Sequence, residues 1–230
     1  MYDFGFYHED CLQGMKQFSD GYFDLAIVDP PYGINCMSFG YTKSGGKQFG
    51  HSATKGRDYR KSSDWDIKPG EEYFKELMRV SKKQIIWGGN YFTDILPPTK
   101  SFIIWDKRCN DKIRNSFADC EYAWCSEGLG VARVFRFVWN GMMQGDMRHK
   151  EERFHPTQKP VALYVWILNN YAKPGDVILD THVGSGSSLI ACHRTQHKYI
   201  GFEIDEEYYQ KASKRIEQET AQMSIFDFKI

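Results

Sequence analysis

This chain carries no excess of either charge. Its 30 basic side chains balance 30 acidic ones, for a formal net charge of zero. No global field therefore draws a polyanion to it, and any nucleic-acid contact must come from local basic patches. The six cysteines show no C-x-x-C pair and no zinc-type spacing, which excludes a disulfide framework and reads as free thiols in a reducing cytoplasm. No apolar run approaches a membrane span, and Met1-Tyr2-Asp3-Phe4 does not read as a signal peptide. Internal repeats and clean linkers are also lacking, so residues 1–230 read as one domain. At 230 residues, with 41% hydrophobic and 26% charged residues, the composition is that of an ordinary globule. That length suits one α/β unit burying roughly 70% of its unfolded surface. Aromatics, at 16%, are abundant, which suits either a large core or the stacking of flat ligands.

The stretch that organises the chain is Asp29-Pro30-Pro31-Tyr32. It closes the apolar run Leu25-Ala26-Ile27-Val28, which reads as a buried parallel strand. Two prolines stop that strand because neither can donate to a sheet ladder. A carboxylate, a rigid pair of carbonyls and an aromatic ring are thereby placed at the carboxyl end of a strand, where open α/β sheets bind ligands. Asp29 and the Pro30 carbonyl can accept the two protons of an exocyclic amino group, and Tyr32 offers a face for stacking a base. Before this motif, residues 3–7 read as a strand and His8 to Cys11 as its polar end. After it, residues 33–63 form a long Gly-, Ser- and Lys/Arg-rich loop. Its Lys55, Arg57, Arg60 and Lys61 suit a phosphate backbone.

Further strands are expected at 84–87, ended by Gly88-Gly89-Asn90-Tyr91, at 102–105 and at 120–125, with a helix over 71–82. Residues 126–154 lose regularity and carry Arg133 and Arg136. His149 and His155 flank two glutamates at a spacing that matches no standard metal site, so no metal is expected. A helix follows over 161–171, then a buried strand at 176–180.

Thr181 to Ser188 forms a glycine-rich turn that opens the next helix. Gly184 and Gly186 lack the Cβ that would keep a ligand away, and a helix start presents backbone N–H groups. Glu203 ends the next strand about 20 residues on, the distance at which a carboxylate accepts from adenosine ribose hydroxyls. A third glycine at dinucleotide spacing and a Gly-Lys-Ser/Thr loop are both missing. S-adenosylmethionine is left as the best adenosyl ligand.

Asp29 to Tyr32 resembles the catalytic motif of the amino-directed DNA methyltransferases, which methylate adenine N6 or cytosine N4. The resemblance covers nearly the whole chain. Asp180 to Ser188 is similar to the family's cofactor motif Asp-Pro-Phe-x-Gly-x-Gly-Thr, His155 to Pro160 to its His-Pro-Thr-Gln/Glu-Lys-Pro segment, and Gly201 to Asp205 to its ribose-binding strand end. The runs Ile85 to Phe92 and Trp105 to Lys107 are similar to stretches in compact, often phage-encoded members. Thr181 and His182 depart from the family's Pro and Phe.

The order, catalytic motif first and cofactor motif last, resembles the β group of these enzymes. The resemblance implies a doubly wound, mostly parallel, seven-stranded α/β sheet, circularly permuted from the common S-adenosylmethionine-dependent methyltransferase fold. Strand 176–180 would be central, with 198–203 and 3–7 to one side. Strands 24–28, 83–87 and 101–105 would lie on the other, with 120–125 antiparallel.

The implied activity is methylation of adenine N6 in DNA after base flipping, as in restriction-modification. Cytosine N4 is the alternative, with a silent DNA-binding module or a protein-glutamine methyltransferase behind it. Asp29, Pro30, Pro31 and Tyr32 would be catalytic. Asp10, Cys11, Lys159, Asp180, Thr181, His182, Gly184, Gly186 and Glu203 would bind the cofactor. The basic loop, Asn90, Arg133 and Arg136 would meet DNA, and Trp87 would wall the pocket. Past a helix ending near Glu219, the tail 220–230 holds Gln222, Ile225 and Phe226, which resemble a sliding-clamp docking peptide on a flexible segment.

Overall fold

The computed structural model describes residues 2–34, 66–108, 118–140 and 143–226. Ten strands and five helices are described: β1 Gly5–His8, α1 Cys11–Met15, β2 Leu25–Val28, α2 Glu71–Val80, β3 Gln84–Trp87, β4 Phe102–Asp106, β5 Cys120–Cys125, β6 Arg133–Arg136, β7 Trp139–Asn140, β8 Met143–Gln144, α3 Val161–Tyr171, β9 Val177–Asp180, α4 Ser187–Arg194, β10 Lys198–Glu203 and α5 Glu206–Phe226. A 3₁₀ turn, Gly89–Tyr91, follows β3.

Eight strands form one sheet in the order β1-β10-β9-β2-β3-β5-β4-β6, and β7 pairs with β8 as a separate hairpin. The central order and the mostly parallel sense match the expectation. Two details differ. Among the described residues the sheet has eight strands rather than seven, because β6 pairs in parallel with β4 at the end of the order. The antiparallel β5 is inserted between β3 and β4.

Apolar residues decide how the sheet is covered. All four residues of β2 are buried, and they alternate between two cores. Leu25 and Ile27 face one core with Ile85, Trp87, Ile103, Trp105 and Ile178, packed under α3 and α4. Ala26 and Val28 face the other with Ile86, Trp124, Leu179 and Phe202, under α1 and α2. A parallel strand covered on both faces reads as a continuous apolar run, which is why 25–28 is so legible. Gly14 lets α1 approach the sheet, since a Cβ there would lie 2.5 Å from Phe202. The sheet reverses its winding between β9 and β2, whose registered pairs are Leu25 with Ile178 and Ala26 with Leu179. The crevice beyond their carboxyl ends is the topological switch point.

Among the described residues no helix is long and apolar enough to cross a membrane. Residues 35–63 of the expected basic loop, with Lys55, Arg57, Arg60 and Lys61, lie outside the described residues. The ends of that stretch meet, because the Gly33 N–H donates to Asp66 Oδ1 at 2.8 Å. One expectation is corrected at the other end of the chain. Helix α5 does not stop near Glu219 but runs to Phe226, so Gln222, Ile225 and Phe226 fall on a helix rather than a flexible tail. Thr220 to Phe226 contains no Gly or Pro to end it.

Candidate active site

Strand parity gathers the site on one face of the sheet rim. Residues 25 and 27 of β2, 85 and 87 of β3, 103 and 105 of β4 and 123 and 125 of β5 share one core. Continuing each alternation by one step points Asp29, Lys107 and Glu121 to the same face. Trp105 is registered opposite Glu121, and Trp87 opposite Ala123, so these ends adjoin. Helix α3 packs on that face, and the residue entering it is Lys159.

The Lys159 ammonium donates to Asp29 Oδ2 and lies 3.3 Å from Glu121 Oε2. Glu121 in turn accepts from Lys107 Nζ at 2.9 Å. The result is an alternating row, Asp29–Lys159–Glu121–Lys107. Lys159 is 3% exposed and lies 5.2 Å over the Trp87 ring. Burial alone would lower its ammonium's pKa, but Asp29 and Glu121 outweigh it and hold the pKa above the ordinary lysine value. Burial would likewise raise the Glu121 carboxyl, yet Lys159 and Lys107 hold it below the usual range. Lys159 and Glu121 are therefore both charged at neutral pH.

The other oxygen of Asp29 is also engaged. Tyr32 Oη donates to Asp29 Oδ1 at 2.6 Å. Its ring stacks on Tyr91, with centroids 4.9 Å apart and planes at 19°. Burial, then the nearby Asp29 and Glu121 charges, pushes the Tyr32 hydroxyl well above its ordinary pKa, so it stays a donor. Gly88 makes room for this ring, with φ at +68°. A Cβ there would lie 2.1 Å from Tyr32 Cε1. Asn90 is exposed beside Tyr91. Trp87 is fully buried, so it backs Lys159 instead of walling an open pocket.

The second half of the site is the turn after β9. Gly184 and Gly186 have φ of +54° and +81°, the left-handed region that favours glycine. The Val183 N–H donates to the Phe202 carbonyl at 3.0 Å, fixing the turn to β10. Glu203 accepts from the Gly184 N–H at 2.8 Å and from the Asp205 N–H at 2.9 Å. Both contacts hold the carboxylate in place and leave it further lone pairs. Asp180 accepts from the His182 N–H at 3.0 Å and from the Ser188 hydroxyl. Burial raises the Asp180 carboxyl to about 7.

His182 hydrogen-bonds the Thr181 hydroxyl through Nδ1 at 2.9 Å, and that hydroxyl also meets Tyr73 Oη at 2.6 Å. Burial pushes the His182 imidazole down to about 4, so it is neutral at pH 7. His155 lies over the same turn, 3.3 Å from where a Gly184 Cβ would be. Burial, then Lys159, pushes it down to about 3. Asp10 caps α1 through the Gln13 N–H at 3.0 Å. It follows β1, whose His8 is registered with Glu203, so Asp10 and Cys11 lie near the Glu203 strand end. Burial pushes the Cys11 thiol up to about 12.

This donor set fits an adenosyl cation. Carboxyl groups at Asp10, Asp180 and Glu203 surround the glycine turn, and a ligand with ribose hydroxyls and an ammonium supplies matching donors. Among the described residues no three His, Cys, Asp or Glu side chains form a group able to hold a metal.

A sequence model of the DNA methylase family N6_N4_Mtase matches residues 105–214. The type II methyltransferase M2.DpnII of Streptococcus pneumoniae is 26% identical over 249 aligned positions, covering 92% of this chain and 89% of that one. The type II methyltransferase M.HpaI of Haemophilus parainfluenzae is 38% identical over 71 residues, which span 31% of this chain and 23% of that enzyme's length. The fold is similar to the M1.HpyAVI–SAM complex, with TM-score 0.56, 24% identity and coverage of 91% and 98% of the two chains. It is also similar to the PvuII cytosine-N4-specific DNA methyltransferase, with TM-score 0.57, 13% identity and coverage of 95% and 91%. Over residues 105–214, just under half of its length, the chain is similar to the DNA methylase family, and along most of its length it is similar to a type II methyltransferase. The M1.HpyAVI structure is a complex with S-adenosylmethionine.

Within that family frame, the structure brings together Asp29 to Tyr32, Asp180 to Gly186, Glu203, Asp10 and Cys11 around one switch point. Arg136 lies at the same rim, 3.6 Å from Asp106. Arg133 does not, being registered with Ile103 three residues down the edge strand. Lys159, expected at the cofactor, has its ammonium committed to Asp29 and Glu121 instead. Sequence reasoning missed Glu121 and Lys107 as site residues. Their signal is a charged residue on the buried parity of its strand, visible only once the register is known. Tyr73 of α2 also reaches the site, its hydroxyl meeting that of Thr181.

Proposed function

We propose that this protein methylates the N6 amino group of adenine in DNA. The observation that carries the reading is Asp29, a carboxylate held in a fixed orientation at the switch point, adjoining the cofactor turn and followed by the Pro30 carbonyl and Tyr32. Adenine N6 is a poor nucleophile because its lone pair is delocalised into the ring. Hydrogen bonds from its two protons to Asp29 and the Pro30 carbonyl favour a pyramidal nitrogen with an available lone pair. Tyr32 Oη leaves Asp29 Oδ1 when the amino group arrives, and its ring stacks on the base. S-adenosylmethionine would supply an electrophilic sulfonium methyl and leave as the neutral thioether, and the proton that N6 sheds on methylation would pass by way of Asp29 to solvent. Glu203 would accept from its ribose, Asp10 would face its adenine, and Asp180 with the Gly184–Gly186 turn would hold its methionine end. The chain contributes positioning and electrostatics, with no covalent intermediate. A target inside a duplex must first be flipped out.

Asp, rather than Ser, at position 29 favours adenine over cytosine N4. Lys55, Arg57, Arg60, Lys61, Asn90 and Arg136 are proposed as DNA contacts. Contact of Gln222, Ile225 and Phe226 with a sliding clamp would require the end of α5 to unwind, and a pull-down with purified clamp tests it. Nucleoside analysis of DNA methylated by the purified protein tests the base. N6-methyladenine is expected, and N4-methylcytosine as the sole product would overturn the adenine assignment.

A further inference from the structure

We propose that Lys159 is a positioning residue for Asp29, holding Oδ2 so that Oδ1 is the oxygen offered to the target's amino group, with Glu121 and Lys107 completing the row. The proposal rests on the methyl-transfer reading above.

A carboxylate side chain turns easily about its last torsion. An Asp29 free to do so would present either oxygen, at varying angles, to an incoming amino group. Lys159 removes that freedom, because its ammonium reaches Oδ2 while Tyr32 covers Oδ1. The tyrosine hydroxyl is thus a placeholder on the oxygen the substrate takes. Stability alone does not account for such a row. Buried ion pairs are weak stabilisers, and apolar side chains of similar volume often do as well, particularly beside the Trp87 and Trp105 rings.

The row also fixes Lys159 itself. Glu121 draws its ammonium from the far side, and Lys107 keeps Glu121 in place. The backbone that delivers Lys159 is tied down on both sides. The Trp139 indole donates to the Gln158 carbonyl at 2.8 Å. Glu151 accepts from the Val161 N–H at 2.9 Å and pairs with Arg215 at 2.6 Å.

Purified Lys159→Met, Lys159→Arg, Glu121→Gln and the charge-balanced Lys159→Met/Glu121→Gln pair test this. The readouts are the single-turnover rate of methyl transfer and the Kd for S-adenosylmethionine. Misplacing a catalytic group by about 1 Å costs about 10²-fold. The Lys159→Met rate is therefore expected to fall by about that factor while the Kd stays within about threefold. Lys159→Arg is expected to recover part of the rate. Glu121 keeps 31% side-chain exposure, and its variant is expected to fold and lose several-fold in rate, so it carries the test where Lys159→Met yields no folded protein. Unchanged rates in Glu121→Gln or in a folded Lys159→Met would overturn the proposal. A Kd that weakens as much as the rate falls would also overturn it, by making Lys159 a cofactor ligand. A wild-type chain that transfers no methyl in the same assay would defeat the methyl-transfer reading itself, a distinct outcome.

Discussion

Tyr32 has two separable parts, a hydroxyl that occupies Asp29 and a ring that stacks. Tyr32→Phe removes only the first. It is expected to keep the transfer rate within a few-fold and to lower the KM for DNA, because the substrate no longer displaces a hydrogen bond. Tyr32→Ala removes both, and lost stacking of about 1–3 kcal/mol predicts a fall of roughly 5- to 150-fold in kcat/KM. Steady-state kinetics on one oligonucleotide separates the two. Gly88 should behave as part of Tyr32. An alanine there meets the ring and must hold a positive φ. Gly88→Ala is therefore expected to reproduce the Tyr32→Ala kinetics and to cost about 1–3 kcal/mol of stability from backbone strain, read by thermal denaturation.

The element with its own pH signature is β9 with the turn that follows. Asp180 is raised to about 7 by burial, so the folded state keeps a proton that the unfolded chain has released. Its contribution to stability is present below the unfolded carboxylate pKa and is lost as pH rises through about 7. Melting curves from pH 5 to 8 should show that loss in the wild type and not in Asp180→Asn. Affinity for the cationic cofactor should run the other way, tightening as Asp180 ionises, with a flat profile in the variant. Elements of this kind were legible in the sequence, since β2 and β9 are short apolar runs that end in motifs. Strand β6 was less so, because it lies in the irregular stretch 126–154 and only the β4 register shows a parallel edge. The Asp29–Lys159–Glu121–Lys107 row was not legible, because its members lie far apart in the chain and meet only through strand order. Helix α5 outran its expected end because no stop signal follows Glu219.

The whole molecule offers DNA no net charge, so its affinity must come from local basic groups. Changing Lys55, Arg57, Arg60 and Lys61 together to Ala is expected to weaken binding evenly across sequences. The salt-dependence slope should drop by about one for each phosphate contact removed. A changed methylation sequence at unchanged affinity would instead assign base reading to that loop. The central claim is that Asp29 prepares an amino group in DNA for methylation, and labelled-methyl transfer from S-adenosylmethionine to DNA by wild type and Asp29→Ala tests it most directly. Incorporation by the wild type, with a loss of at least about 10²-fold in a variant that still binds the cofactor, is the predicted result. Undiminished incorporation by Asp29→Ala would contradict the account.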